Sequence, residues 1–250
     1  MDVMTSATPA TEARRHVRLV AEKMRILIVA GIPAGALLVG VGSRVAMLVL
    51  RLTSPDTVRG VKSDDGFVIG QVTLKGTYDL VGIGAVVGII GAAAYMLVAP
   101  WLIGPLWFRR ATTGIASALV VGSMLVHSKG IDFNVLKPTW LAIALFVALP
   151  GLFGTLIGGF VDSVRRPDSW TRRGRRPWTL ALLCVICFPI TVLPLAFALI
   201  VVLVWHILTE AGLVRLVRRA PGYALVVRSV WLLIALAGLR ALVADIDAIM

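Results

Sequence analysis

Carboxylates, imidazoles and thiols are scarce in this chain of 250 residues, which has 13 Asp and Glu, three His and two Cys. That scarcity excludes much. No H-E-x-x-H, G-x-S-x-G or Walker lysine loop occurs, so the usual arrangements for zinc hydrolysis, acyl transfer and nucleotide binding are missing. The two cysteines, Cys184 and Cys187 in "LLCVICF", have the C-x-x-C spacing that elsewhere signals redox or metal chemistry. They lie inside an apolar run with no His or acid nearby, and two soft ligands alone do not make a zinc site. They read as packing residues. The expectation is a non-enzyme with no metal site and no cofactor. No soluble domain and no internal repeat is visible either.

What the chain has in excess is hydrocarbon. It is 58% hydrophobic with a mean hydropathy of +0.92, where soluble domains run closer to half apolar. Several windows approach the ~20 apolar residues that cross a bilayer core. Inside lipid each backbone donor and acceptor must be satisfied within its own segment, so these windows are helices. A barrel would show short alternating segments instead. The spans are read at about 26–50, 77–98, 111–126, 140–161, 178–191, 194–213 and 223–243. The fifth is a short or re-entrant leg, because Pro189 and Pro194 divide a region too long for one span. Three small-xxx-small pairs, Gly31/Gly35, Gly84/Gly88 and Gly154/Gly158, allow close helix approach, within one chain or between copies in a homo-oligomer. The fold class is thus an all-α polytopic membrane bundle of about seven helical segments.

The formal net charge is +12. In a soluble protein that would point to nucleic acid. In a membrane protein basic residues gather in loops that stay cytoplasmic, and no nucleic-acid partner is expected. With the N-terminus inside, sixteen Lys and Arg fall in cytoplasmic segments and six outside. Six of the sixteen lie in the loop 163–177, between Arg165 and Arg176. Such loops rest on anionic lipid headgroups, at ~1 kcal/mol per cation. Residues 1–25 read as a basic cytoplasmic tail, with 12–25 an amphipathic helix on the membrane surface. The first apolar segment lacks a small-residue cleavage site and is read as a retained anchor. Residues 26–250 form one bundle.

The loop 51–76 stands apart. Pro55 restricts the residue before it, so "TSPD" reads as a helix stop. "VRGVKS" and "FVIGQVTL" flank Asp64, Asp65 and Gly66, and Gly66 can take the positive φ of a tight turn. The stretch is expected to form a small extracytoplasmic β-hairpin. Asp64 and Asp65 lack the oxygen spacing of a calcium loop. The stretch Arg44 to Thr77 and the closing "LVADIDAI" (Leu242 to Ile249) resemble an uncharacterised group of multi-span membrane proteins from actinomycete-type bacteria. The resemblance implies a bacterial cytoplasmic membrane and carries over no catalytic residue.

Ionisable groups inside spans are functional candidates. Arg44 lies about six residues before the outer end of the first span, and Asp79 about three residues into the second. Both therefore sit at similar depth and are expected to meet, directly or through water, as an ion pair fixing the register of two helices or as a polar gate, with simple snorkelling of Arg44 as the remaining reading. His206 and Glu210 share a helix face, which permits an intrahelical hydrogen bond. Asp162 faces the arginine run. Trp101, Trp107, Trp140, Trp170 and Trp178 fall near span ends, where aromatic rings anchor at the interface.

Two functions follow. The first is a non-catalytic membrane protein whose hairpin engages an envelope partner. The second is a small-solute or ion transporter or channel with Arg44–Asp79 near its outer gate. A cavity running from Arg44 toward the midplane goes with transport; a dry, closed bundle goes with the partner role.

Overall fold

The computed structural model describes residues 9–55, 58, 60–61, 72–128, 130, 133, 135–169, 171, 176–210 and 222–250. One unbroken helical column opens it. Helix α1 (Pro9–Ile26) runs through a π-helical stretch (Leu27–Gly31), α2 (Ile32–Ala34), a second π-helical stretch (Gly35–Val41) and α3 (Gly42–Thr53). The expected surface helix over 12–25 is therefore the lower part of this column. The physical reason is that nothing interrupts it: the junction residues Ile26 and Ile32 keep right-handed helical dihedrals. Pro33 sits between the two widened stretches, where its missing N–H would interrupt an α-helical ladder in any case.

The column ends as Pro55 requires. Ser54 is extended (φ −89°, ψ 153°). Its Oγ donates to Lys137 O and accepts from Lys137 N, both at 3.0 Å. Then follow α4 (Leu74–Val98), closed by a 3-10 turn (Ala99–Trp101), α5 (Leu106–Leu125), α6 (Thr139–Arg165), α7 (Arg176–Cys187), α8 (Val192–Glu210) and α9 (Tyr223–Ile249). Among the described residues five helices are long and apolar enough to cross a membrane: those over Arg14–Thr53, Leu74–Trp101, Thr139–Arg165, Pro189–Thr209 and Tyr223–Ile249.

The hairpin expectation is corrected. Among the described residues there is no β-strand, and the architecture is all helical. Both proposed arms are consumed by helical structure at their ends. Val58 N donates to Pro55 O and Val61 N to Val58 O, so the first arm begins as tight turns. Thr73 caps α4, its side chain accepting from Gly76 N at 3.1 Å, so the second arm gives way to a helix N-terminus. The turn itself, Asp64, Asp65 and Gly66, lies outside the described residues.

Glycine sets the packing. Gly31, Gly35 and Gly40 of the column meet Gly84 and Gly88 of α4, backbone against backbone. A methyl group on Gly84 would lie 2.6 Å from Gly40 N and 2.7 Å from Gly35 O. The first two sequence pairs thus seal one interface between them, in register and antiparallel. The third works elsewhere: Gly154 lies under Thr113 and Ser117 of α5, and Gly158 under the Tyr95 ring. Gly238 seats α9 against the backbone of Leu119 and Val120.

The region 178–209 folds as two antiparallel legs. Arg25 Nη1 donates to Thr171 O at 3.0 Å, tying the segment that precedes α7 to the lower column. At the opposite end Tyr78 Oη donates to Cys187 O at 2.6 Å, and its ring stacks on Phe188. Helix α8 then returns until His206 meets His16, ring centroids 4.6 Å apart. Two hydrophobic cores result. One joins the column, α4, α6, α7 and α8 around Ile32, Ile89 and Ile157. The other joins α3, α6 and α9 with the residues after α5, around Leu50, Phe133 and Leu242.

Candidate functional site

Between the two cores the helices do not close. Helix α9 packs on α5 and meets the α4 column at its terminal turn, where Tyr223 stands edge-on to Trp101. The space left is a slot of ≈ 1110 Å³, walled by the upper column, α4, α5, α6 and α9. It follows α4 from Leu80 to Val98, about 27 Å at the helical rise of ~1.5 Å per residue. A hydrocarbon core is about 30 Å thick, so the slot runs almost the full depth of a bilayer. It is open at the side, since Ile90 and Ile115 line it while 58% and 60% exposed.

The walls are apolar for most of their length: Ile83, Val87 and Ile90 from α4, Leu149 and Phe153 from α6, Trp231 and Ala235 from α9. Polar atoms collect at the ends. Ser43, Arg44 and Arg51 lie at one end, Thr112, Thr113 and Arg228 toward the other. Arg44 and Arg51 are seven residues apart and so share one helix face. Both are half-buried. Arg228 is exposed, and its Nε donates to Trp101 O at 3.2 Å, covering the lower rim. The described lining offers hydroxyls and guanidinium groups but no carboxylate, imidazole or thiol.

Arg44 and Asp79 are not brought together. The glycine seam places Gly40 against Val81, so Arg44, one turn further on, is level with the first turns of α4, at the depth the sequence indicated. Rotation separates them. Asp79 precedes Gly84 by five residues, about 140° around the helix, and the seam that turns Gly84 toward the column turns Asp79 away. Asp79 is exposed and does not line the slot. No ion pair between the two is found among the described residues. Arg51 and Arg228 were missed as site residues. The i, i+7 spacing of Arg44 and Arg51 could have paired them, but no local signal reveals a gap between helices.

Other candidates fall as follows. Asp162 Oδ2 accepts from Tyr95 Oη at 3.0 Å; residues 172–175 of the arginine run lie outside the described residues. Tyr95 is 3% exposed, and Gly158, one turn before Asp162, leaves room for its ring. Cys184 is half-buried at the edge of the first core and Cys187 is exposed. His127 is exposed, with Nδ1 3.1 Å from Leu125 O. His206 has His16 as its ring neighbour, while the Glu210 side chain and Trp170 lie outside the described residues. Trp101 lines the slot; Trp107, Trp140 and Trp178 are exposed. Replacing Asp162 by leucine would leave the buried Tyr95 hydroxyl without its acceptor, and should lower stability by about 1–3 kcal/mol. Asp162→Asn keeps an acceptor and should lose much less. Thermal unfolding in detergent separates the two.

Comparison with family models, curated proteins and solved structures finds no match to the chain.

Proposed function

We propose that this is a non-catalytic integral membrane protein that holds a lipid in the slot, its anionic head against Arg44 and Arg51. One observation carries the proposal: a side-open cavity that is apolar over nearly a bilayer's depth, with two arginines at one mouth and one at the other. The slot supports a cavity below Arg44 over a closed bundle, but its walls suit no ion or hydrophilic solute. A charged or hydrogen-bonding cargo would lose its hydration along Ile83, Val87, Ile90 and Phe153 with nothing in exchange. An amphiphile has both parts of the match.

The chain resides, on this proposal, in a bacterial cytoplasmic membrane as a multi-pass protein with its N-terminus inside. Support comes from the distribution of Lys and Arg and from the sequence resemblance. The Arg44 mouth then faces the outer leaflet. Here a guanidinium and a phosphate form charge-assisted hydrogen bonds at membrane depth.

Competition binding in nanodiscs tests this. An alkyl phosphate and an alkyl glucoside with the same tail differ only at the head. The phosphate should bind at least about tenfold more tightly, as one charge-assisted hydrogen bond of about 1.5–3 kcal/mol implies. The paired substitutions Arg44→Gln and Arg51→Gln should abolish that preference while leaving the glucoside unchanged. Equal binding of the two amphiphiles by the unaltered protein, or binding of neither, overturns the proposal.

A further inference from the structure

Resting on the lipid-holding slot just described, we infer that its ligand is a single-chain lipid phosphate, of the polyprenyl or long alkyl type, whose tail exceeds one leaflet. The slot is continuous from Arg44 to Trp101. An ordinary phospholipid anchored by its head at Arg44 would end near the level of Ile90, because one leaflet supplies about half of the ~30 Å core. The lower half, between Ala94 and Phe108, would then require a second molecule.

The lower rim does not offer that second molecule an equivalent head site. It is built from Trp101, Leu102, Ile103, Phe108, Thr112 and Thr113, with a single arginine, Arg228, whose Nε donates to the Trp101 carbonyl. The upper mouth has two arginines on one helix face. The asymmetry fits one head and one long tail. Filling the slot with one molecule also immobilises one ligand instead of two, which lowers the entropic cost of association.

The experiment uses alkyl phosphates carrying a photoreactive group at the tail terminus, added to the full chain in nanodiscs, with the labelled residues read by mass spectrometry. A tail of one leaflet's length should label near Ile90 and Phe153. A tail about twice as long should label Trp231 and Phe108 at the far end. The same long-tailed probe on Ala94→Trp should stop short, labelling above position 94. If the long tail labels only the upper half, or exits to the exposed faces of α8 and α9, the single-chain inference falls and the lipid-holding slot stands. If no tail labels the slot, both fall. Lipid extracted from the protein purified out of native membranes gives an independent check: single-chain lipid phosphates support the inference, and two-chain phospholipids alone overturn it.

Discussion

Replacing Gly88 by alanine should destabilise the protein by about 1–3 kcal/mol or more, while the same change at Gly82, six residues earlier on α4, should be neutral or slightly stabilising. On propensity alone both changes favour the helix, since glycine costs roughly 0.5–1 kcal/mol against alanine in a helix interior. Surroundings decide the sign. At Gly82 the new methyl group would meet only Ile190 Cγ2, at 3.4 Å, a side-chain contact that a small rotation relieves. At Gly88 it would lie 2.8 Å from both Gly31 C and Gly35 Cα. Those are backbone atoms of a continuous helix and cannot turn aside. The column and α4 would have to separate, opening the first core around Ile32 and Ile89, and overpacking of this kind carries the larger penalty. Gly84→Ala should behave like Gly88→Ala, because Gly40 N would stand 2.6 Å from its methyl group. Unfolding temperatures of the three variants in one detergent give the test. Equal behaviour of Gly82 and Gly88 would show that the seam does not hold the two helices.

Ala94→Trp should greatly reduce the retained lipid whose tail reaches the lower half of the slot, while the protein still folds. Ala94 lines the slot and is exposed within it, so an indole there enters empty space instead of a packed core. No backbone has to move, which separates this change from the glycine substitutions. The indole divides the slot about a turn above Val98 and takes volume that a tail would otherwise fill. The readout is lipid bound per protein after purification, set beside the unfolding temperature. Unchanged lipid content with an unchanged unfolding temperature would place the bound lipid on the outer surface and not in the slot. The Asp162 substitution is the counterpart, affecting stability through a buried hydroxyl without altering the arginines of the mouth.

Much of the bundle is visible in the chain. The apolar windows and the break at Pro189 mark the helices, because hydrocarbon leaves a backbone few alternatives. Gly31/Gly35 and Gly84/Gly88 are legible as close-approach sites, though not as partners of one another. The hairpin misreads a real signal: alternating apolar residues beside Asp-Asp-Gly resemble strand arms, but Thr73 has the stronger local use as a helix cap, and Val58 completes a turn begun at Pro55. The partner of Asp162 is hidden from the sequence for a similar reason. Its sequence neighbours are arginines, while its structural neighbour is Tyr95, 67 positions away.

What the sequence alone determined was depth. Hydropathy and the placement of charge locate each residue along the membrane normal, and Arg44 and the start of α4 do stand level. What only the tertiary structure decided was rotation and separation. A helix can turn about its axis without changing the depth of any residue, so no hydropathy profile records which face meets which neighbour. The glycine seam fixes that angle for α4, sending Asp79 outward and leaving Arg44 at the mouth of a slot. The slot itself is the distance at which α9 stops short of α4, a property of how five helices pack and of no single segment.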